Sequence, residues 1–149
     1  LADEITTHLG GLPGFQAPYI APENTHVYYF YGMKYSSEEV GLPREVFCKA
    51  VEAEGFTLRA GYLKPLYLEP LYQQKICFGN EGFPFSANSR NNEIKYFKGM
   101  CPVVEKLADS DLILTNIIYP PLTVKDMQMF VEACGKVAKN ADTLKKRMV

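Results

Sequence analysis

The chain has 149 residues, 47% hydrophobic and 22% charged, with 16 basic against 17 acidic side chains and a formal net charge of -1. One compact domain of ordinary globular composition is expected, which sets aside disordered, collagen-like and coiled-coil architectures. The balanced charge also lacks the basic stripe that holds a phosphate backbone, so nucleic acid is not an expected partner.

At the start, Leu1, Ile5 and Leu9 share one helical face, and Gly10-Gly11-Leu12-Pro13-Gly14 stops the helix. A helix that begins uncapped, on Leu rather than Met, predicts a processed or partial chain. After a Pro-rich stretch at 18–22, aromatic and β-branched residues crowd a strand at 27–35. Val27, Tyr29, Tyr31, Met33 and Tyr35 would share one face, Tyr28 and Phe30 the other. Ser36-Ser-Glu-Glu39 reads as the following turn.

Pro43 opens a helix whose Val46, Phe47, Ala50 and Val51 recur at helical spacing until Gly55. Residues 56–62 then alternate as a strand, with Phe56, Leu58, Ala60 and Tyr62 on one face and Thr57, Arg59 and Gly61 on the other. A short helix over 102–108 and a strand over 111–115 follow. Thr123, with Asp126 three residues on, is a capping signature for the last helix, whose apolar face is Val124, Met127, Phe130, Val131, Cys134 and Val137. Lys145-Lys-Arg147 reads as a solvated end. The predicted fold is α+β: a small, mainly antiparallel sheet with helices packed on one face. Residues 1–25 are read as the end of an interdomain helix plus linker, 26–140 as the domain, and 141–149 as a frayed basic tail.

Between Tyr62 and Met100 neither period is visible, although structureless loops of that length are uncommon in compact domains. The chain has 10 Tyr and 9 Phe but no Trp, and this segment holds many of those rings. They can pack locally, cover the sheet, or form a contact surface. The four cysteines, Cys48, Cys77, Cys101 and Cys134, show no zinc spacing and read as reduced thiols, with Cys48 and Cys134 as core residues. A cytoplasmic protein follows. No apolar run is long enough to span a membrane.

Catalytic constellations are sparse. With only His8 and His26, no Ser/His/Asp or Cys/His set assembles, and Gly10-Gly11 before Gly14 follows a helix rather than a strand, without the Lys-Ser/Thr of a nucleotide loop. Glu38-Glu39 and the pair Glu52 and Glu54 do not converge on a helix. No catalytic residue and no metal ligand is assigned.

Six landmarks nevertheless stand in a familiar order. They are Leu12-Pro-Gly14; His26-Val-Tyr-Tyr-Phe-Tyr31; the Arg44-Glu45 helix ending in Glu54-Gly-Phe56; Tyr62-Leu-Lys-Pro-Leu-Tyr-Leu-Glu-Pro-Leu-Tyr72; Cys101-Pro-Val-Val-Glu-Lys-Leu107; and Tyr119-Pro-Pro-Leu-Thr-Val-Lys-Asp126. The set resembles the C-terminal domain of the DegT/DnrJ/StrS family of pyridoxal-phosphate-dependent sugar aminotransferases, the small domain of fold-type I enzymes. The resemblance implies a parent that aminates a keto-sugar, nucleotide-sugar or cyclic ketone as a homodimer. In that family the cofactor sits in a larger N-terminal domain with the Schiff-base lysine, none of whose motifs occurs here. Pyridoxal phosphate is thus implied for the full-length parent, and neither cofactor binding nor turnover is expected of this chain alone.

The resemblance also places the region of Tyr62 to Tyr72 near the active-site mouth. Many members have His-Tyr followed by Pro-Leu-His; here those His positions are Gly61 and Tyr67, so imidazole contacts do not carry over. Tyr62 and Tyr67 are expected to stack on a sugar or donate hydroxyl hydrogen bonds, Lys64 to meet a phosphate, and Arg59 to contribute a charge. The alternative is a ligand-binding or interaction module that keeps the fold without the chemistry.

Overall fold

The computed structural model describes residues 1–87 and 93–147. They form two compact units, Leu1–Tyr62 with the chain from Ser110 onward, and Leu63–Asp109.

The first unit is α+β. Its strands β1 (Phe15–Gln16), β2 (Tyr31–Tyr35), β3 (Arg59–Ala60) and β4 (Leu112–Thr115) make an antiparallel sheet in the order β1-β2-β4-β3. Tyr31 pairs with Thr115, and Arg59 with Leu114. Helices α1 (Ala2–Leu9), α2 (Ser37–Val40) and α3 (Arg44–Ala53) belong to this unit. The period of two in β2 turns Tyr31, Met33 and Tyr35 into the core and leaves Lys34 outside. Ile5 and Leu9 of α1 and Phe47 and Val51 of α3 fill the same core.

The largest contributor is the long helix from Val124 to Lys139, which packs against both α1 and α3 and buries Met127, Phe130, Cys134 and Val137. Its start is a capping box: the Asp126 carboxylate accepts the Thr123 N–H at 2.7 Å and the Thr123 hydroxyl at 2.6 Å. Val124, expected on the apolar face, lies 49% exposed because it falls in the first turn. A short helix, Ala141–Lys146, continues beyond it, burying Ala141. Burial pushes the Cys48 thiol up to about 12 and raises that of Cys134 also, so both behave as small apolar groups.

Polar groups brought into this core find partners. The Tyr35 hydroxyl donates to the Leu42 carbonyl at 2.7 Å, the Tyr31 and Thr6 hydroxyls share a 2.7 Å bond, and Thr115 donates to the Thr57 carbonyl at 2.7 Å. Arg44, buried at the start of α3, donates to the Leu112 carbonyl of β4 at 3.3 Å. The Arg-Glu landmark therefore ties a helix to the sheet.

Two strands differ from expectation. The strand expected over 27–35 begins only at Tyr31, because Tyr28 adopts a left-handed backbone (φ 49°) and donates its N–H to His26 Nδ1 at 2.8 Å. Val27 and Tyr29 consequently stand in solvent, 90% and 82% exposed. The strand expected over 56–62 shortens to β3, since Gly61 turns left-handed (φ 70°) after giving its N–H to the Leu112 carbonyl. β1 was not anticipated, and Ser36–Glu39 is not a plain turn: Ser36 caps α2, its hydroxyl accepting the Glu39 N–H.

The second unit opens with a 3-10 turn at Leu66–Leu68, α4 (Pro70–Gln73) and an isolated bridge between Phe78 and Phe83. Later comes α5 (Pro102–Lys106), which runs into a π-turn at Leu107–Asp111. In chain order the long helix is α6 and Ala141–Lys146 is α7. The aromatic segment divides. Tyr72, Phe85 and Tyr96 pack edge-on with centroids 5.4 to 6.4 Å apart, whereas Phe78, Phe83 and Phe97 are more than half exposed.

Candidate functional site

Arg59 and Tyr62 belong to the first unit, Lys64 and Tyr67 to the second, and each pair is described within its own unit. Arg59, on β3, is exposed beside Leu114 and makes no ion pair among the described residues. The Tyr62 ring, 57% exposed, rests on Phe30 at 5.4 Å, which in turn meets Tyr29 edge-on at 4.7 Å. These rings present an aromatic surface of the kind that takes an apolar sugar face.

Lys64 and Tyr67 take different partners. Lys64 pairs with Glu69 at 3.3 Å across a partly exposed turn. A phosphate would compete with that carboxylate, although an exposed pair is worth only about 0–1 kcal/mol. Tyr67 is half-buried and its hydroxyl donates to the carboxylate of Glu105.

Glu105 is the centre of this unit's polar structure, and sequence reasoning quoted it as a landmark without making it a site residue. It is 8% exposed, on the short helix α5. Its carboxylate turns back to accept the Gly99 N–H at 2.6 and 2.8 Å and approaches the Cys101 N–H at 3.5 Å. The Pro-x-x-Glu spacing was the available signal: it sets a carboxylate one turn into a helix whose preceding N–H groups lack carbonyl partners. Nearby, the Gln73 amide donates to the Tyr67 carbonyl at 2.6 Å and to that of Tyr96 at 3.1 Å, drawing two loops together.

The electrostatics follow from these bonds. The Tyr67 hydroxyl, with the Gly99 and Cys101 N–H groups and the Lys98 charge, holds the Glu105 carboxyl below its ordinary 4.5, outweighing partial desolvation. Desolvation and the same carboxylate push the Tyr67 phenol up to about 12. Since Glu105 is more acidic folded than unfolded, its stabilisation is complete above about pH 4.5 and is lost as pH falls through the depressed folded value. Acid titration should release the Gly99 amide in that window, read as an NMR shift, and Glu105→Gln should flatten the response.

The histidines take structural roles. His26 is exposed, accepts the Tyr28 N–H and stacks on that ring at 4.2 Å. Tyr28 has a buried hydroxyl that makes no hydrogen bond among the described residues. His8 lies 3.1 Å from Glu4, which also accepts from Gln128 of α6 at 2.9 Å. Among the described residues no group of three or more His, Cys, Asp or Glu is placed to hold a metal, and no helix is long and apolar enough to cross a membrane. Every lysine of the chain is exposed or half-exposed, and none lies in the kind of desolvated pocket that lowers the pKa of an imine-forming amine.

No family model matches the chain. Over 142 residues, 95% of its length, it is 20% identical to "Spore coat polysaccharide biosynthesis protein SpsC" of Bacillus subtilis (strain 168). The chain spans about a third of the length of that curated relative, 31%.

Proposed function

We propose that this chain is the small-domain part of a sugar-modifying aminotransferase of the DegT/DnrJ/StrS type, and that it supplies the substrate side of the active site. The observation that carries the reading is the similarity over 95% of the chain to a polysaccharide biosynthesis protein of which it spans only 31%. The order of the six landmarks supports the same reading. The overall reaction moves an amino group from an amino-acid donor to a keto-sugar or nucleotide-sugar; the donor becomes a 2-oxo acid and the sugar carbonyl becomes an amine.

Within that reaction the chain's own residues bind and orient. Tyr62 offers a ring face, Tyr67 a phenol held by Glu105, and Arg59 and Lys64 positive charge toward phosphate. Pyridoxal phosphate, contributed by a separate N-terminal domain in a cytoplasmic homodimer, supplies the amine-carrying chemistry. No step is assigned to it on this chain.

The test is reconstitution. The chain alone, mixed with pyridoxal phosphate, should show only the absorbance of free cofactor and no turnover. The product of the whole coding sequence should form an amino-sugar from a keto-sugar and glutamate, and should lose that activity when the segment matching this chain is removed. A coding sequence without a cofactor domain would sink the proposal in favour of a non-catalytic binding module.

A further inference from the structure

A tyrosine hydroxyl has one proton to give and lone pairs with which to accept, and an ionised carboxylate can only accept. The bond between Tyr67 and Glu105 therefore runs in one direction, from the phenol to the carboxylate. The carboxylate is not free to turn away, because the Gly99 N–H, at 2.6 and 2.8 Å, holds it in place. The Cys101 N–H also donates to the phenol oxygen, which leaves one lone pair for a ligand, and the Tyr67 backbone is held through its carbonyl on Gln73 at 2.6 Å.

We infer that Glu105 sets the polarity of Tyr67: with its proton committed to the carboxylate, the phenol oxygen meets a ligand only as a hydrogen-bond acceptor, selecting a hydroxyl or ammonium donor over a phosphate or carbonyl oxygen. This rests on the proposed reading of Tyr67 as a substrate contact and reverses the donor role expected from the sequence. The negative charge of Glu105 behind the phenol acts in the same sense, attracting an ammonium and repelling a phosphate. Glu105 is thus a positioning residue, acting through Tyr67. It fits a site in the second unit that reads the hydroxyl or amino groups of a sugar and leaves anions to Lys64.

The experiment follows the Tyr67 ring and the Gly99 amide by NMR in the 149-residue protein, first through an alkaline titration and then with D-glucosamine or inorganic phosphate. Tyr67 should keep its proton to about pH 12, well after an ordinary tyrosine at about 10. Glucosamine should shift its resonance and phosphate should not. In Glu105→Gln, whose amide can donate to the phenol oxygen, Tyr67 should ionise at a lower pH than in the wild type, although desolvation still raises it, and the apparent affinity for glucosamine should fall about tenfold. Tyr67→Phe should abolish the glucosamine response while leaving the Gly99 amide in place.

Ionisation of wild-type Tyr67 in the ordinary tyrosine range overturns the inference, as does silence toward glucosamine or an equal response to phosphate. These wild-type readouts do not depend on either variant folding. A full-length protein that transfers no amino group would remove the functional reading while leaving the measured polarity of Tyr67 standing.

Discussion

Phe130→Ala is expected to lower the stability of the chain by about 3–5 kcal/mol, the range for deleting a fully buried phenyl ring. Phe130 is 0% exposed in the middle of α6, the helix that both α1 and α3 pack against, and it meets Phe56 edge-on at 5.6 Å. Its removal takes away the transfer free energy of the ring and leaves a void that these elements cannot all close at once. Urea denaturation should show a lower midpoint with an unchanged slope. Met129, its neighbour on the other side of the helix, is 47% exposed, and Met129→Ala should stay within about 0.5 kcal/mol. Equal losses from the two variants would contradict a core organised on this face of α6.

Gly14→Ala is expected to cost about 2–5 kcal/mol, from two separable sources. Gly14 has φ 83°, where a side chain costs about 1–2 kcal/mol. A β-carbon there would also lie 2.4 Å from Val40 Cγ2, and overpacking of this kind costs about 1–3 kcal/mol. The position has little freedom to relax. The Gly14 carbonyl accepts the Ser36 N–H at 2.8 Å, and the Gly14 N–H donates to Glu39 at 3.0 Å. A double-mutant cycle with Val40→Ala separates the sources: the second substitution should recover the clash but not the backbone cost. Simple additivity of the two variants would show that Val40 is not the obstacle. The Leu-Pro-Gly landmark thus has a structural reason, since it carries the chain from α1 into β1 past the α2 turn.

The sequence was most legible where a local rule and the tertiary structure agree. Helical spacing found α1, α3 and α6, and the Thr123/Asp126 pair marked the start of α6, because capping needs only residues a few positions apart. Alternation found the inward residues of β2. It misjudged the strand's start, because Tyr28 leaves the extended backbone to meet His26, and propensity does not register one residue in a left-handed conformation. β1 is two residues long, too short for any periodic signal, and exists because β2 offers an edge to pair with.

The same division holds for the candidate site. Sequence alone determined the α+β class, the faces of the main helices, and the aromatic and cationic residues at 59–67. It did so because burial and period are properties of neighbours along the chain. Only the tertiary structure decided what those residues meet. Lys64 is paired with Glu69, Tyr62 lies on Phe30, and Tyr67 donates a hydrogen bond to a carboxylate 38 residues away. A tyrosine can donate or accept with equal ease, so its polarity is set by whichever partner folding brings to it, and here that partner is Glu105.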